Sequence, residues 1–176
     1  MDHTNKIIYE NVYLRPLKAY DIESLRLWRN NPNNNLYLNK IPYITPGVQK
    51  KWFEGYINNN DEICFAIVEN KELNRLVGSL SLYHFENDKC LFGKILIGDI
   101  DAHGRKIGLN ATIAATKIAF ERLKLSRVKL FVYADNLVAY KIYSKAGFSV
   151  IEAHVDASGR REYIMSKEDR GDWSNA

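Results

Sequence analysis

Residues Leu96–Phe120 read LIGDIDAHGRKIGLNATIAATKIAF. The apolar run Lys94-Ile95-Leu96-Ile97 has strand character and stops at Gly98-Asp99. A short loop follows, with glycines at Gly104 and Gly108 and basic side chains at His103, Arg105 and Lys106. An alanine-rich segment with helical periodicity comes next. A strand, a glycine-bearing basic loop and a helix N-terminus can together present free backbone N–H groups to an anion. The loop lacks the Gly-Lys-Ser/Thr ending of a P-loop, and it is not G-x-G-x-x-G. It reads as a grip for a pyrophosphate, against the plainer alternative of a strand-to-helix turn in which glycine serves packing.

Working outward, the chain of 176 residues is long enough for one domain with a real core, and one domain over 1–176, core about 7–173, is expected. The net charge of +4 is too small and too spread out to predict a nucleic-acid partner, though it suits an anionic small molecule. No stretch approaches a membrane span, and MDHTNKIIYEN carries no apolar core of signal-peptide length, so the expected location is the cytoplasm. Cys64 and Cys90 fall in predicted strands and read as buried thiols. Two cysteines cannot make a four-ligand site, and His3, His84, His103 and His154 stand singly, so no metal is expected.

Ile7–Leu14 reads as a strand closed by Arg15-Pro16. Asp21 can cap a helix with Ile22, Leu25, Leu27 and Trp28 on its apolar face, ending before Pro32. The asparagine- and tyrosine-rich stretch after it is a loop. Thr45-Pro46 opens a second helix in which Val48, Trp52, Phe53, Tyr56 and Ile57 recur at helical spacing and read as core. Strands at Ile63–Glu69, Arg75–Phe85 and Lys89–Ile97 are joined by short polar turns, an antiparallel meander. A helix over Leu109–Leu123, a strand over Arg127–Tyr133, a helix over Leu137–Lys145 capped by Gly147, and strands at Phe148–Val155 and Arg161–Ser166 complete the chain, with a frayed tail beyond Trp173. The class is α/β (α+β): a mixed, mostly antiparallel sheet of about seven strands flanked by about four helices.

Two motifs carry a resemblance. His103-Gly104-Arg105-Lys106-Ile107-Gly108 is similar to Arg/Gln-x-x-Gly-x-Gly/Ala, with His103 in place of the first residue and Lys106 in place of the middle glycine. YADNLVAYKIYSKAGF, Tyr133–Phe148, matches N-x-x-A-x-x-x-Y-x-x-x-G-F at Asn136, Ala139, Tyr143, Gly147 and Phe148. Together with the order of elements over about Ile7–Trp173, they resemble the GNAT superfamily of N-acetyltransferases.

The resemblance implies direct attack of a primary amine on acetyl-CoA, with CoA as product. It implies cofactor contacts from His103, Gly104, Arg105, Lys106, Ile107 and Gly108, a backbone donor at Leu96 or Ile97, a pantetheine contact from Asn136, and an acid role for Tyr143 at the thioester sulfur, where the plain alternative is a packing tyrosine. Tyr140 is expected to pack. Relatives often carry a basic glutamate on the strand equivalent to Lys89–Ile97. This strand has none and places Phe92 near that position, leaving water with His84, Glu86 or Asp99 to take the proton. The stretch Leu27–Tyr43 is similar to that of acetyltransferases acting on nucleotide-linked 4-amino sugars, which implies substrate contacts from Arg29, Asn30, Tyr37 and Tyr43. A ribosomal-protein N-terminal acetyltransferase and a non-catalytic CoA-binding module are the alternatives. Monomer and homodimer both stay open.

Overall fold

The computed structural model describes residues 4–34, 36–38, 41–156, 158–169 and 171. Its strands are β1 (Ile7–Tyr9), β2 (Val12–Pro16), β3 (Glu62–Glu69), β4 (Arg75–Glu86), β5 (Lys89–Ile97), β6 (Arg127–Tyr133), β7 (Ser149–Val155) and β8 (Arg161–Glu168), and its helices α1 (Ile22–Asn30), α2 (Pro46–Tyr56), α3 (Ile107–Lys117) and α4 (Leu137–Lys145). The strands form one eight-stranded sheet in the order β1-β2-β3-β4-β5-β6-β8-β7. All neighbours are antiparallel except β5 and β6. The mixed, mostly antiparallel architecture is the expected one. Trp173 lies outside the described residues.

The sheet has eight strands where about seven are expected. Ile7–Leu14 is a hairpin, not one strand. It folds back between the paired residues Tyr9 and Val12, and Glu10 takes φ 53. Two-residue hairpin loops require such left-handed backbone. The long helix is corrected too. It starts at Ile107, because Lys106 (φ 60, ψ 14) is its N-cap, and it widens into a π-helical turn over Ile118–Arg122. Ala111, Ala114, Ala115 and Ala119 are fully buried, so small side chains bring this helix close against β1, β2 and β5. In α1 Leu25 is buried but Leu27 is exposed, and Asp21 bonds Arg15 through both oxygens at 2.7 Å rather than capping α1. Of the apolar residues expected to be core in α2, Tyr56 and Phe53 pack inward. Val48 and Ile57 are exposed, and Trp52 stacks on Tyr56 at 5.7 Å. Cys64 and Cys90 are buried free thiols.

The sheet is split at one place. β5 and β6 pair in parallel only at Lys89↔Arg127, Cys90↔Val128 and Leu91↔Lys129, then diverge. On its other side β5 stays paired with β4 as far as Gly78↔Ile97. Between Gly93 and Leu96 it carries one residue more than β4 has between Ser81 and Ser79, a bulge in which Lys94 has φ 52. Such a bulge bends the strand and sharpens its twist, here away from β6.

Beyond Ile97 the chain turns at Gly98, whose N–H donates to Val77 O at 3.0 Å. The Trp28 ring rests on this glycine: a Cβ there would stand 2.1 Å from Trp28 Cγ. Among the described residues no helix is long and apolar enough to cross a membrane.

Gly98→Ala should therefore lower folding stability by about 2 kcal/mol, since the indole must move. Urea denaturation measures it, and an unshifted midpoint would show that Trp28 gives way freely.

Candidate active site

The loop between β5 and α3 is held by ion pairs that spend its own charges. Arg75 donates to Asp99 at 2.7 Å and to Asp101 at 2.6 Å, and hydrogen bonding to that guanidinium holds the Asp99 carboxyl below the usual range. Arg105 pairs with Glu72 and donates through Nε to Asp101 O at 2.7 Å. The His103 ring bonds Ile97 O at 3.0 Å. Lys106 is exposed and has no partner among the described residues. The backbone N–H groups of Lys106, Ile107 and Gly108 likewise have no acceptor there. The result is a rigid turn that presents three amides, a helix N-terminus and one free cation, a fitting cradle for a diphosphate. Arg105 turns its guanidinium back into the protein, so of its side chain and that of Lys106 only the lysine is uncommitted.

Where β5 leaves β6 a cleft of about 150 Å³ opens. It brings together four of the residues singled out from the sequence, Ile97, Gly108, Asn136 and Tyr143, and adds Ile95, Val138, Ala139 and Ile142. Leu96 is a correction: it is buried and does not line the cleft. The ladder explains this. The Gly98 bond to Val77 O makes Val77 and Gly98 a hydrogen-bonded pair, so the next pair, Gly78↔Ile97, is the non-bonded kind and Ile97 directs its amide away from β4. Leu96 spends its own toward Ser79. Ile95, two residues before Ile97, shares its side of the strand, which the period-2 pattern could have shown.

Asn136 is the N-cap of α4, its Oδ1 accepting from Ala139 N at 3.1 Å. Its Nδ2 has no partner among the described residues. Two turns on, Tyr143 packs its ring edge-on against Phe92 at 5.9 Å and against Phe148 at 6.3 Å. Its hydroxyl has no hydrogen-bond partner among the described residues. The one occluded, unpaired side-chain oxygen or nitrogen among them is Asn70 Oδ1, so the Tyr143 hydroxyl keeps a face open to the cleft. Burial, and then the neighbouring Tyr83, push this phenol up to about 12. Tyr140 packs on Tyr163 at 5.7 Å, as expected.

The four predicted acceptor-side residues do not form one set. Asn30 spends both ends of its amide on Ile44, at 2.8 and 2.9 Å, and ties α1 to the segment before α2. Tyr43 is exposed and its hydroxyl accepts from Arg26 at 3.4 Å. Tyr37 donates to Asp135 O at 3.3 Å and lies 5.3 Å from the Arg160 guanidinium, which also sits 3.8 Å over Tyr133 and ion-pairs with Asp135. This cluster lies beside the Asn136 cap. Nothing in the local sequence marks Arg160, which is brought there by the turn between β7 and β8. Arg29 is half-buried, and desolvation lowers its pKa.

Candidate proton acceptors are constrained as well. Asp99 is tied to Arg75, and His84 is exposed, 3.8 Å from Asp61. Glu62, which sequence reasoning passed over, is nearly buried and ion-pairs with Lys94 at 2.7 Å. Burial pushes its carboxyl up, but hydrogen bonds from Lys94 and Ser81 outweigh this and hold it below the usual range.

A split parallel pair, an amide-rich loop leading into a helix, and a tyrosine lining the gap form an arrangement suited to acyl transfer from a thioester. The acetyltransferase (GNAT) domain family matches residues 11–149, and the chain belongs to that family. It is thus an acetyltransferase, with acetyl-CoA as the acetyl donor. It is 25% identical over 140 residues to acetyltransferase PseH of Campylobacter jejuni, covering 80% of this chain and 84% of that protein. The fold is similar to spermidine N-acetyltransferase from Vibrio cholerae, solved with CoA and spermine (TM-score 0.80, 20% identity, 90% of this chain and 95% of that one). It is also similar to a GNAT-family acetyltransferase from Bacillus anthracis (TM-score 0.79, 16% identity, 93% and 98%).

Lys106→Gly keeps the left-handed backbone and removes the charge. CoA affinity by calorimetry should fall about fivefold, roughly 1 kcal/mol, and the difference should shrink in high salt. An unchanged affinity would remove the lysine from the cradle.

Proposed function

We propose that this chain acetylates the primary amine of a nucleotide-linked 4-amino sugar. The observation that carries this reading is the charge balance around the cleft. The carboxylates Glu62, Asp135 and Asp99 are each neutralised by a cation, and Lys106 in the loop between β5 and α3 has no partner among the described residues. That balance favours an acceptor bearing phosphate. The likeness to PseH over most of both chains supports it. A polyamine, the molecule named with the Vibrio cholerae structure, would call for unpaired carboxylates, and the balance here disfavours it.

Acetyl-CoA, when bound, supplies an activated acetyl thioester. The amides of Lys106, Ile107 and Gly108 with the Lys106 ammonium hold its diphosphate. Ile97 N–H and Asn136 Nδ2 face the cleft and bond the amide-bearing arm. The acceptor nitrogen forms its bond to the acetyl carbon as the carbon–sulfur bond breaks, and its surplus proton leaves to water. Tyr143, kept protonated by burial, donates a hydrogen bond to the departing sulfur. Arg29 pairs with acceptor phosphate through its fork of donors. Tyr37 and Tyr43 offer rings at the mouth, and Asn30 acts by holding the loop. The free, buried thiols go with a reducing cytoplasm.

Tyr143→Phe should lower kcat about 100-fold and leave the calorimetric CoA affinity unchanged. An undiminished rate would remove the acid role. Because the phenol titrates near 12, the rate should show no alkaline fall from this group below pH 11. Arg29→Ala should raise KM for a UDP-linked 4-amino sugar about tenfold and leave KM for acetyl-CoA alone. Equal rises in both would contradict its place on the acceptor side.

A further inference from the structure

Tyr83 stands in β4 opposite Leu91 of β5, yet its tip lies two residues further along that strand, over Gly93. A Cβ on Gly93 would sit 3.1 Å from the Tyr83 hydroxyl and 3.2 Å from Cε1. The ring therefore runs along β5 toward the end that parts from β6, and a side chain at position 93 would press on its tip. Lys94, in the bulge, holds its ammonium 4.8 Å from the ring centroid and pairs with Glu62, the residue facing Tyr83 in β3. On the opposite face, the next residue of β5, Phe92, carries the Tyr143 ring. Consecutive residues of one strand thus bear two tyrosines, one on each face, where the sheet begins to open.

Neither hydroxyl has a hydrogen-bond partner among the described residues. A half-buried hydroxyl so firmly placed normally finds one. Burial, with the nearby Glu62 and Glu162, pushes the Tyr83 phenol up, so it stays neutral. It lies on the face of the sheet that carries α1, α2 and the acceptor loop, because Ser81 and Cys64, which alternate with core residues on the same strands, bond each other on that face. A neutral phenol oxygen there can accept from an amine N–H while the nitrogen keeps its lone pair for the acetyl carbon.

We propose that the Tyr83 hydroxyl binds the acceptor amine and aims it across Gly93 at the thioester, facing Tyr143 from the other side of the sheet. This rests on the acetyltransferase reading and extends it. Tyr143 serves the leaving sulfur and Tyr83 the entering nitrogen.

Tyr83→Phe keeps the ring, its cover over Gly93 and the contact with Lys94, and deletes only the hydroxyl. The test mixes full-length protein with acetyl-CoA and either a UDP-linked 4-amino sugar or spermidine, and follows thiol release. For the amine that wild type acetylates, Tyr83→Phe should lower kcat/KM about 10- to 100-fold while thermal midpoint and calorimetric CoA affinity stay put. Gly93→Ala, which displaces the hydroxyl, should lower it likewise. Wild-type kcat/KM for Tyr83→Phe overturns the proposal, as does a matching loss of CoA affinity. Acetylation of spermidine alone overturns the sugar assignment and leaves Tyr83 to be judged on spermidine. A folded, CoA-binding wild type that acetylates neither removes the acceptor assignment and the role of Tyr83 with it.

Discussion

Two parallel strands that stay paired for three residues and then separate are the constraint on which the rest depends. Backbone amides buried without partners are costly, so strands do not normally part inside a sheet. Here β5 stops pairing with β6 beyond Leu91, and the bulge at Lys94 lies just past that point. The open seam suits a ligand that carries its own amides, as the proposed seat for the pantetheine arm of the donor requires. The same parting leaves the Tyr143 hydroxyl, on α4, a face open to the cleft. A continuous sheet would keep acceptor and donor apart.

The second requirement is that an anion site be stiff without being neutralised. Asp99 and Asp101 alone would repel phosphate. Arg75 cancels them and at the same time clamps the turn, while Glu72 cancels Arg105. The positive charge left over is Lys106, on the residue whose left-handed backbone starts α3. A lysine in that conformation pays a modest strain, on the order of 1 kcal/mol. It gains a charge where a glycine would give only room.

Much of the fold was legible because hydrophobic periodicity and turn residues set it locally. The meander, the strand–loop–helix unit and the Asn136–Phe148 motif all follow from short-range pattern. The hairpin at Glu10-Asn11 was not, since neither residue is glycine and one polar pair inside an eight-residue apolar run is a weak turn signal. Burial of aromatics in α2 was over-read for a related reason: its wide apolar stripe exceeds the face that the sheet covers. Within the site, the sequence pointed to Ile97, Gly108, Asn136 and Tyr143, which lie on two contiguous motifs. It could not point to Arg160 beside Tyr37, or to Tyr83 over Gly93. Those contacts join residues far apart in the chain and depend on strand order and on an absent side chain, which no local pattern encodes.

The indole of Trp28 seated on Gly98 has a mechanical consequence. α1 leads into the segment proposed to meet the acceptor, and Gly98 opens the loop proposed to hold phosphate, so any shift of one would press on the other. Were filling one site to move this contact, linkage would demand that the other site feel it by the same factor. A single tryptophan ring against bare backbone is the mechanical join between those two parts of the chain.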